Sequence, residues 1–263
     1  MNIKKQNIIV DKKKDGVVCL YFNRPEAKNA LNMETIIELK ENIKVLKYDN
    51  SVRILIITGM GDTFSSGADL IWMKSSKKLN FEDNKRDAII FVEMLKEIDE
   101  FPKPTLSIIN GHAFGGALGI IAVCDFSVAN IQAKFSFSEV KLGIIPAMIG
   151  PYILRSIGFK NSKKLFLTGE IFNTQIAKNI NLIDEFLPSK KIKDYTSQLI
   201  AKLKTGSPKA QEEIKEFLRI IYSRKIDKEL INETANKISK IRVSEEAQSG
   251  IEAFLKKKKP DWI

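Results

Sequence analysis

The sequence predicts an α/β fold with much parallel strand pairing, followed by a helical C-terminal part. Three observations carry this. Short runs of β-branched and aromatic residues alternate with segments whose apolar residues recur at helical spacing. The alternation stops near Pro146, after which the pattern is helical to the end. Finally, 263 residues, 44% hydrophobic and 29% charged, suffice for one large domain or a domain with an appended piece, and they exclude intrinsic disorder. The longest apolar runs, such as Ile54–Ile57 and Ile120–Val123, fall far short of the roughly 20 residues of a membrane span, so no transmembrane helix is expected.

The elements follow in order. Val17–Asn23 (VVCLYFN) is rich in strand formers and stops at Arg24-Pro25, where proline restrains its predecessor; Ile8–Val10 pairs with it across the polar Asp11–Gly16 turn. Asn32 suits a helix N-cap, Glu34 sits in the first turn, and Ile36, Leu39, Ile43 and Leu46 keep helical spacing to about Lys47. Arg53–Thr58 reads as a buried strand ending at glycines. Asp87–Glu100 carries Ala88, Phe91, Leu95 and Ile98 on one helical face and is stopped by the prolines at 102 and 104. Thr105–Ile109 is the next strand, Gly115–Ala122 a short apolar helix, and Asp125–Ala129 a strand. Beyond Pro146 come helices over Ser189–Lys204, Pro208–Ser223, Asp227–Ile241 and Glu245–Lys257. No Gly/Ser linker separates the two parts, and no short-period repeat stands out.

Lysine and arginine exceed aspartate and glutamate by 43 − 32 = +11. Such a balance raises a nucleic-acid or anionic-ligand reading, but the lysines are scattered along the whole chain as solvated faces would be, so nucleic acid is not the expected partner. The start, MNIKKQNIIVDKKKDG, lacks an apolar core before a small-residue cleavage site, so no secretory signal is expected. Cys19 and Cys124 lie in apolar stretches and form neither a disulfide framework nor a metal site. A cytoplasmic location is the resulting expectation, and no metal is expected.

Three glycine-containing stretches lie where strands should end and helices begin: Phe64–Asp69 (FSSGAD), Asn110–Ala117 (NGHAFGGA) and Leu142–Pro146 (LGIIP). Ligand crevices in open α/β folds form at such ends, although glycine is equally at home in any tight turn. Backbone N–H groups at helix N-termini lack intrahelical partners, and two that converge can hold an oxygen gaining negative charge, such as a thioester enolate. Ala68, Gly115 and Gly116 are small enough for substrate to approach. Glu139, in an aromatic and apolar stretch, suits a general acid/base of raised pKa, although spacing alone favours a carboxylate that caps a turn or pairs with a lysine. The single His112 has no serine or cysteine motif around it, which leaves it a structural reading, and there is no phosphate-binding glycine loop.

Taken together, Asn23–Leu31 (NRPEAKNAL), FSSGAD, NGHAFGG ending in Cys124-Asp125, Ser138–Pro146 (SEVKLGIIP), Leu167-Thr168-Gly169 and Ala253–Trp262 (AFLKKKKPDW) stand in the order and spacing of the crotonase, or enoyl-CoA hydratase/isomerase, superfamily, which this chain resembles over nearly its full length. The stretch from Ser138 to Gly158 is most similar to bacterial hydratases of the methylglutaconyl-CoA type, including members of leucine or isoprenoid-acid breakdown. The resemblance implies a spiral of ββα units, residues 1–200, carrying acyl-CoA binding and catalysis, and a helical trimerisation region, residues 201–263, that forms part of the acyl-CoA pocket. It implies an acyl-CoA thioester substrate, a homotrimer or homohexamer, no membrane partner, and no cofactor beyond the coenzyme A carried by the substrate. It places the enolate-holding N–H groups on Ala68 and Gly116 and the acid/base on Glu139. Substrate-binding positions fall on Glu26, Ala27, Lys28, Ala30, Ala68, Asp69, Leu70, Ile71, Gly115, Gly116, Gly119 and Pro146, with one of Lys256–Lys259 reaching CoA phosphates. Pocket-lining side chains are expected from Trp72–Met73, Ile89–Val92, Met148–Ile149 and the C-terminal helices.

One departure is informative. Typical hydratases of this family use two glutamates; the second matches Glu139, while the first falls on Gly119. The leading expectation is a hydratase acting on a short or branched 2-enoyl-CoA. A Δ3-to-Δ2 enoyl-CoA isomerase working with one glutamate is the alternative, and a basic RNA- or partner-binding module on the same scaffold is a third reading, since fold does not fix function.

Overall fold

In the computed structural model of the chain, residues 6–263 are described; the first five residues of the leader reading lie outside them. Backbone packing divides the chain into two units, one running to Phe101 and resuming over Thr105–Thr196, the other made of Pro102–Pro104 and Ser197–Ile263.

The first unit is built on two sheets. β1 (Ile8–Lys12) lies antiparallel to β2 (Val17–Phe22), and from β2 onward β3 (Ile54–Gly59), β5 (Thr105–Ile109), β7 (Phe126–Asn130) and β10 (Glu185–Leu187) add in parallel, giving the order β1-β2-β3-β5-β7-β10. All six residues of β3 are buried, as a central parallel strand covered on both faces requires. The second sheet joins β4 (Thr63–Ser65), β6 (His112–Phe114), β8 (Lys134–Ser136) and β9 (Phe172–Asn173) in that order, with only β9 antiparallel. Successive ββα units thus deliver one strand to each sheet before a helix follows: β3, β4 and α2 (Leu70–Ser75) with α3 (Phe81–Asp99), then β5, β6 and α4 (Gly116–Val123), then β7, β8 and α5 (Gly150–Thr168).

The helix α1 (Met33–Lys47) begins where expected, because the Asn32 side chain accepts from Thr35 N at 2.9 Å, and its buried face is Ile36, Leu39, Ile43 and Leu46. Together with Phe91, Met94, Leu95 and Ile98 of α3 and the almost wholly apolar α4, this face covers the larger sheet. Burying each such large side chain contributes about 1.5–3 kcal/mol.

Three expectations require correction. The chain beyond Pro146 is not all helix: β9 and β10 lie there, separated by α6 (Thr174–Asn179), because strands of two or three residues are too short to show alternation. Helix α3 starts at Phe81, not Asp87. Its first turn buries nothing and so carries no apolar signal, while Asn80 caps it by accepting from Asp83 N at 2.9 Å. Leu142–Pro146 does not follow a strand; it follows a 3₁₀ turn over Ser138–Leu142.

The second unit contains the end of α7 (Ser189–Thr205), α8 (Pro208–Ile221), α9 (Lys228–Arg242) and α10 (Glu245–Leu255). Ser207 caps α8, and its hydroxyl donates to Glu246 at 2.6 Å. Trp262 accounts for the terminal PDW motif: its indole N–H donates to Thr205 O at 3.1 Å, and its ring lies where a side chain on Gly250 would be. Lys256–Lys259 are all exposed on this unit. Among the described residues no helix is long and apolar enough to cross a membrane.

Candidate active site

The site begins with the loop after β2. Pro25–Ala27 forms one 3₁₀ turn, and Lys28 and Asn29 take positive φ values of 50° and 54°. Asn29 tolerates this conformation because its buried side chain replaces backbone partners: Oδ1 accepts from Arg24 N at 3.0 Å, and Nδ2 donates to Met60 O and Thr63 O at 2.9 and 2.7 Å. The Arg24 guanidinium donates to Ala30 O at 2.7 Å and to Asp69 Oδ2 at 2.9 Å. Asp69 in turn N-caps α2, accepting from Ile71 N and Trp72 N at 2.9 and 3.2 Å. Burial pushes the Asp69 carboxyl up, but the Arg24 guanidinium and the two N–H donors outweigh it and hold the group below its ordinary range.

Asp69 thereby fixes Ala68. Leu31 N donates to Gly67 O at 2.8 Å and Asp69 N to Leu31 O at 3.0 Å, a parallel bridge centred on Ala68. In such a bridge the central residue's own N–H points away from its partner strand. Gly116 is the first residue of α4, where an N–H has no intrahelical acceptor. Gly115 before it adopts φ 53°, ψ −127°, open only to glycine, and its N–H is held by Ser136 O at 2.9 Å. The two loops touch: a Cβ on Gly67 would lie 2.7 Å from Phe114 O. The two backbone N–H groups therefore lie on adjoining loops, in residues that are both half-buried.

Glu139 comes from the 3₁₀ turn, whose backbone is locked when Ile144 N donates to Glu139 O at 3.1 Å across the left-handed Gly143. Beneath it Phe137 packs edge-on against Phe166, ring centroids 4.9 Å apart, and Ser136 Oγ donates to Gly169 O at 3.0 Å, which gives the Leu167-Thr168-Gly169 motif its structural part. The carboxyl lies over Gly115, where a Cβ would be 3.4 Å from Oε1. Its Oε2 is buried and is the one such side-chain polar atom without a partner among the described residues. Burial raises the Glu139 pKa, opposed only by its own backbone N–H.

Two cavities meet at these groups. One, of about 380 Å³, is lined by Ala27, Ala30, Gly67–Ile71, Gly115, Ser138 and Leu142. The other, of about 320 Å³, is lined by Leu31, Trp72, Ala88, Phe91, Pro146 and Met148–Ile149 among others. Ala68, Met73, Gly116, Glu139 and Ile144 line both. Of the expected positions, Ala27, Ala30, Ala68, Asp69, Leu70, Ile71, Gly115, Gly116, Glu139 and Pro146 are brought together. Glu26 and Lys28 are exposed and line neither cavity. Gly119 is also outside, buried one turn into α4, where a Cβ would lie 2.4 Å from Ile149 Cγ2. An isoleucine side chain therefore occupies the space beside the position where the family's first glutamate would start.

The sequence reading missed Arg24 and Asn29, whose polar side chains in a predicted loop carried the only signal. It also missed Asn84 as a lining residue, because the expected start of α3 lies after it, and Asp87, which it read only as the first residue of that helix. His112 is exposed, and its Nδ1 accepts from Lys134 N at 3.1 Å between β6 and β8, which gives it a structural role. Asp125 is structural too: it accepts from Thr105 N and Oγ1 at 2.8 and 2.9 Å, joining the starts of β5 and β7.

Residues 12–263 match the family model for enoyl-CoA hydratase/isomerase. The chain is 30% identical over 260 residues to a crotonyl-CoA hydratase of Syntrophomonas wolfei, covering 98% of each. It is 29% identical over 255 residues to a 2,3-dehydroadipyl-CoA hydratase of Escherichia coli, covering 97% of this chain and 98% of the relative. Its fold superposes on the crystal structure of an enoyl-CoA hydratase from Shewanella pealeana with a TM-score of 0.94 at 35% identity, covering 97% and 96% of the two chains. The ββα spiral, the paired backbone donors and a match along almost the whole sequence agree, and the chain belongs to the enoyl-CoA hydratase/isomerase family of the crotonase superfamily.

Proposed function

We propose that the protein hydrates the C2=C3 double bond of a short or branched 2-enoyl-CoA, the class to which the methylglutaconyl-CoA type belongs, with Glu139 as the acid/base and the N–H groups of Ala68 and Gly116 holding the thioester oxygen. The observation that carries this is the unpaired, buried Glu139 Oε2 in the wall shared by the two cavities, beside both donors. With CoA in the first cavity and the acyl group in the second, the thioester lies at their junction. Water oxygen bonds to C3 as one of its protons passes to Glu139; the π electrons move through C2 onto the thioester oxygen, where the two N–H groups hold the enolate. The enolate then collapses as C2 takes the proton back from Glu139. The sum is one water across one double bond. A single carboxylate serves, because the proton it accepts is the proton it returns, and a raised pKa suits both halves of the cycle near neutrality.

Ile149 beside Gly119 supports the second reading, Δ3-to-Δ2 isomerisation, in which Glu139 removes a proton from C2 and returns it at C4 without any water. Incubating the protein with a 2-enoyl-CoA and a 3-enoyl-CoA separates the two: hydration adds about 18 Da, the mass of one water, whereas isomerisation leaves the mass unchanged. Glu139→Gln is expected to lower turnover by about 10² or more while CoA binding persists. Near-normal turnover of that variant would remove Glu139 from the chemistry in either reading.

The proposal extends to a cytoplasmic homotrimer or homohexamer that uses no cofactor beyond the CoA of its substrate. Exposed apolar side chains on the helical unit, among them Leu218, Ile231, Val243 and Phe254, support association between copies.

A further inference from the structure

The second cavity holds a polar group that the proposed chemistry does not use. Phe91 and Asp87 lie four residues apart on one face of α3, and both line that cavity. The Phe91 ring reaches Gly116, since a Cβ there would be 2.9 Å from Cζ, so it marks the reacting end. Asp87 stands one helical turn, about 6 Å, away along the axis toward the start of α3.

Asp87 is half-buried and has no hydrogen-bond or ion-pair partner among the described residues. Its polar neighbours in the lining are already engaged. Asn84 Nδ2 donates to Ser76 O, Leu79 O and Asn80 O at 3.1–3.2 Å, and Ser76 Oγ donates to Met73 O at 2.7 Å. The remaining lining is mainly apolar, with Trp72, Ala88, Phe91, Met148 and Ile149; its charged members are Asp87 and Glu139, and no lysine, arginine or histidine lines it. An acyl chain ending in a carboxylate would bring a like charge beside Asp87 with no cation to offset either. An uncharged chain meets apolar walls and leaves the Asp87 carboxylate to solvent.

We propose that Asp87 is a specificity-determining residue that restricts this pocket to uncharged acyl chains and rejects CoA thioesters whose acyl group ends in a carboxylate. The proposal rests on the acyl-CoA reading above and narrows it away from the methylglutaconyl type, whose acyl group carries a carboxylate. Two like charges about 6 to 12 Å apart at an effective dielectric constant near 20 lower affinity by roughly 10- to 100-fold.

The test is calorimetric titration of the full chain with saturated hexanoyl-CoA and adipyl-CoA, which share a six-carbon chain and differ in the terminal carboxylate. The wild type is expected to bind hexanoyl-CoA about 10- to 100-fold more tightly. Asp87→Asn is expected to shrink that ratio by about tenfold through a gain in adipyl-CoA affinity, which loss of folding cannot mimic. Asp87→Ser, titrated alongside, reports the same ratio if the asparagine variant does not fold. Equal affinities in the wild type, or an unchanged ratio in both variants, would overturn the role of Asp87 and leave the hydratase reading intact. If the folded wild type binds neither thioester, the acyl-CoA reading fails and this proposal with it.

Discussion

Gly119 and Ile149 offer the sharpest test of how this site differs from a two-glutamate one. Gly119 sits inside α4, where alanine ordinarily gains about 1 kcal/mol over glycine in helix propensity. A Cβ there, however, would be 2.4 Å from Ile149 Cγ2, 3.0 Å from Ile149 Cβ and 3.3 Å from Leu95 Cδ1. The methyl it strikes belongs to a β-branched side chain that is 1% exposed and stiff at χ1. Overpacking of this kind costs about 1–3 kcal/mol, so Gly119→Ala should be neutral to about 2 kcal/mol destabilising despite the helix gain. Ile149→Ala alone should cost about 2–5 kcal/mol through the cavity it leaves. In the Ile149→Ala background the obstruction is gone, and Gly119→Ala should become stabilising by up to about 1 kcal/mol. The coupling energy of the cycle is then the overpacking term, about 1–3 kcal/mol, read from urea midpoints at one protein concentration. If Gly119→Ala has the same effect in both backgrounds, within about 0.5 kcal/mol, Ile149 does not occupy that space and the reasoning fails. The same geometry means that Gly119→Glu alone is no fair trial of a second acid, because it forces a chain into Ile149 before its carboxyl reaches the cavity.

Two further predictions concern the acids. In the folded protein the Glu139 pKa is raised above its ordinary 4.5 by burial. Below that value both states are protonated and nothing is lost; as pH rises the unfolded chain ionises first, so stability falls until the folded value is passed and stays low above it. Glu139→Gln escapes this loss, and its melting temperature should match the wild type near about pH 4 and exceed it once the pH has risen above the ordinary carboxylate range; parallel melting curves would contradict the burial of that charge. Asp69→Ala removes the cap of α2 and leaves the Arg24 guanidinium without its carboxylate, in a pair whose side chains are only 19% and 11% exposed. It should cost about 1–3 kcal/mol by urea denaturation and weaken acyl-CoA binding through Ala68, with Asp69→Asn milder; a loss within about 0.5 kcal/mol would match an ordinary surface change.

Much of the first unit was legible because its signals are local. Asn32 and the 36–39–43–46 spacing specify α1 within the helix itself, and Thr105–Ile109 is bounded by Pro104 on one side and a glycine turn on the other. The second sheet was not legible: its strands have two or three residues each, and they exist because neighbouring repeats place them side by side. The site divides along the same line. Ala68, Gly116 and Glu139 stand in motifs with a sequence signature, whereas Ile149 filling the space beside Gly119, and Asp87 lining the second cavity, depend on α3 and α5 approaching α4 in three dimensions. Side-chain spacing in a sequence cannot report that approach.

The pairing of the two N–H donors follows from the repeat itself. β4 and β6 are parallel neighbours in the small sheet, with Thr63 opposite His112 and Ser65 opposite Ala113. Each chain leaves that sheet through a glycine of positive φ, Gly67 at 88° and Gly115 at 53°, and the next residue supplies the donor. Neighbouring strands in a sheet lie about 4.8 Å apart, so equivalent exits must bring equivalent N–H groups near one another. Contact between the exits then links them: a methyl on Gly67 would meet Phe114 O at 2.7 Å, and Phe114 is the last residue of β6 before Gly115 and Gly116. A displacement at either glycine is therefore passed to the opposite donor. The spacing of the two N–H groups is a property of the sheet, and Asp69 and Ser136 hold the two turns that present them, through the Arg24 guanidinium and the Gly115 N–H.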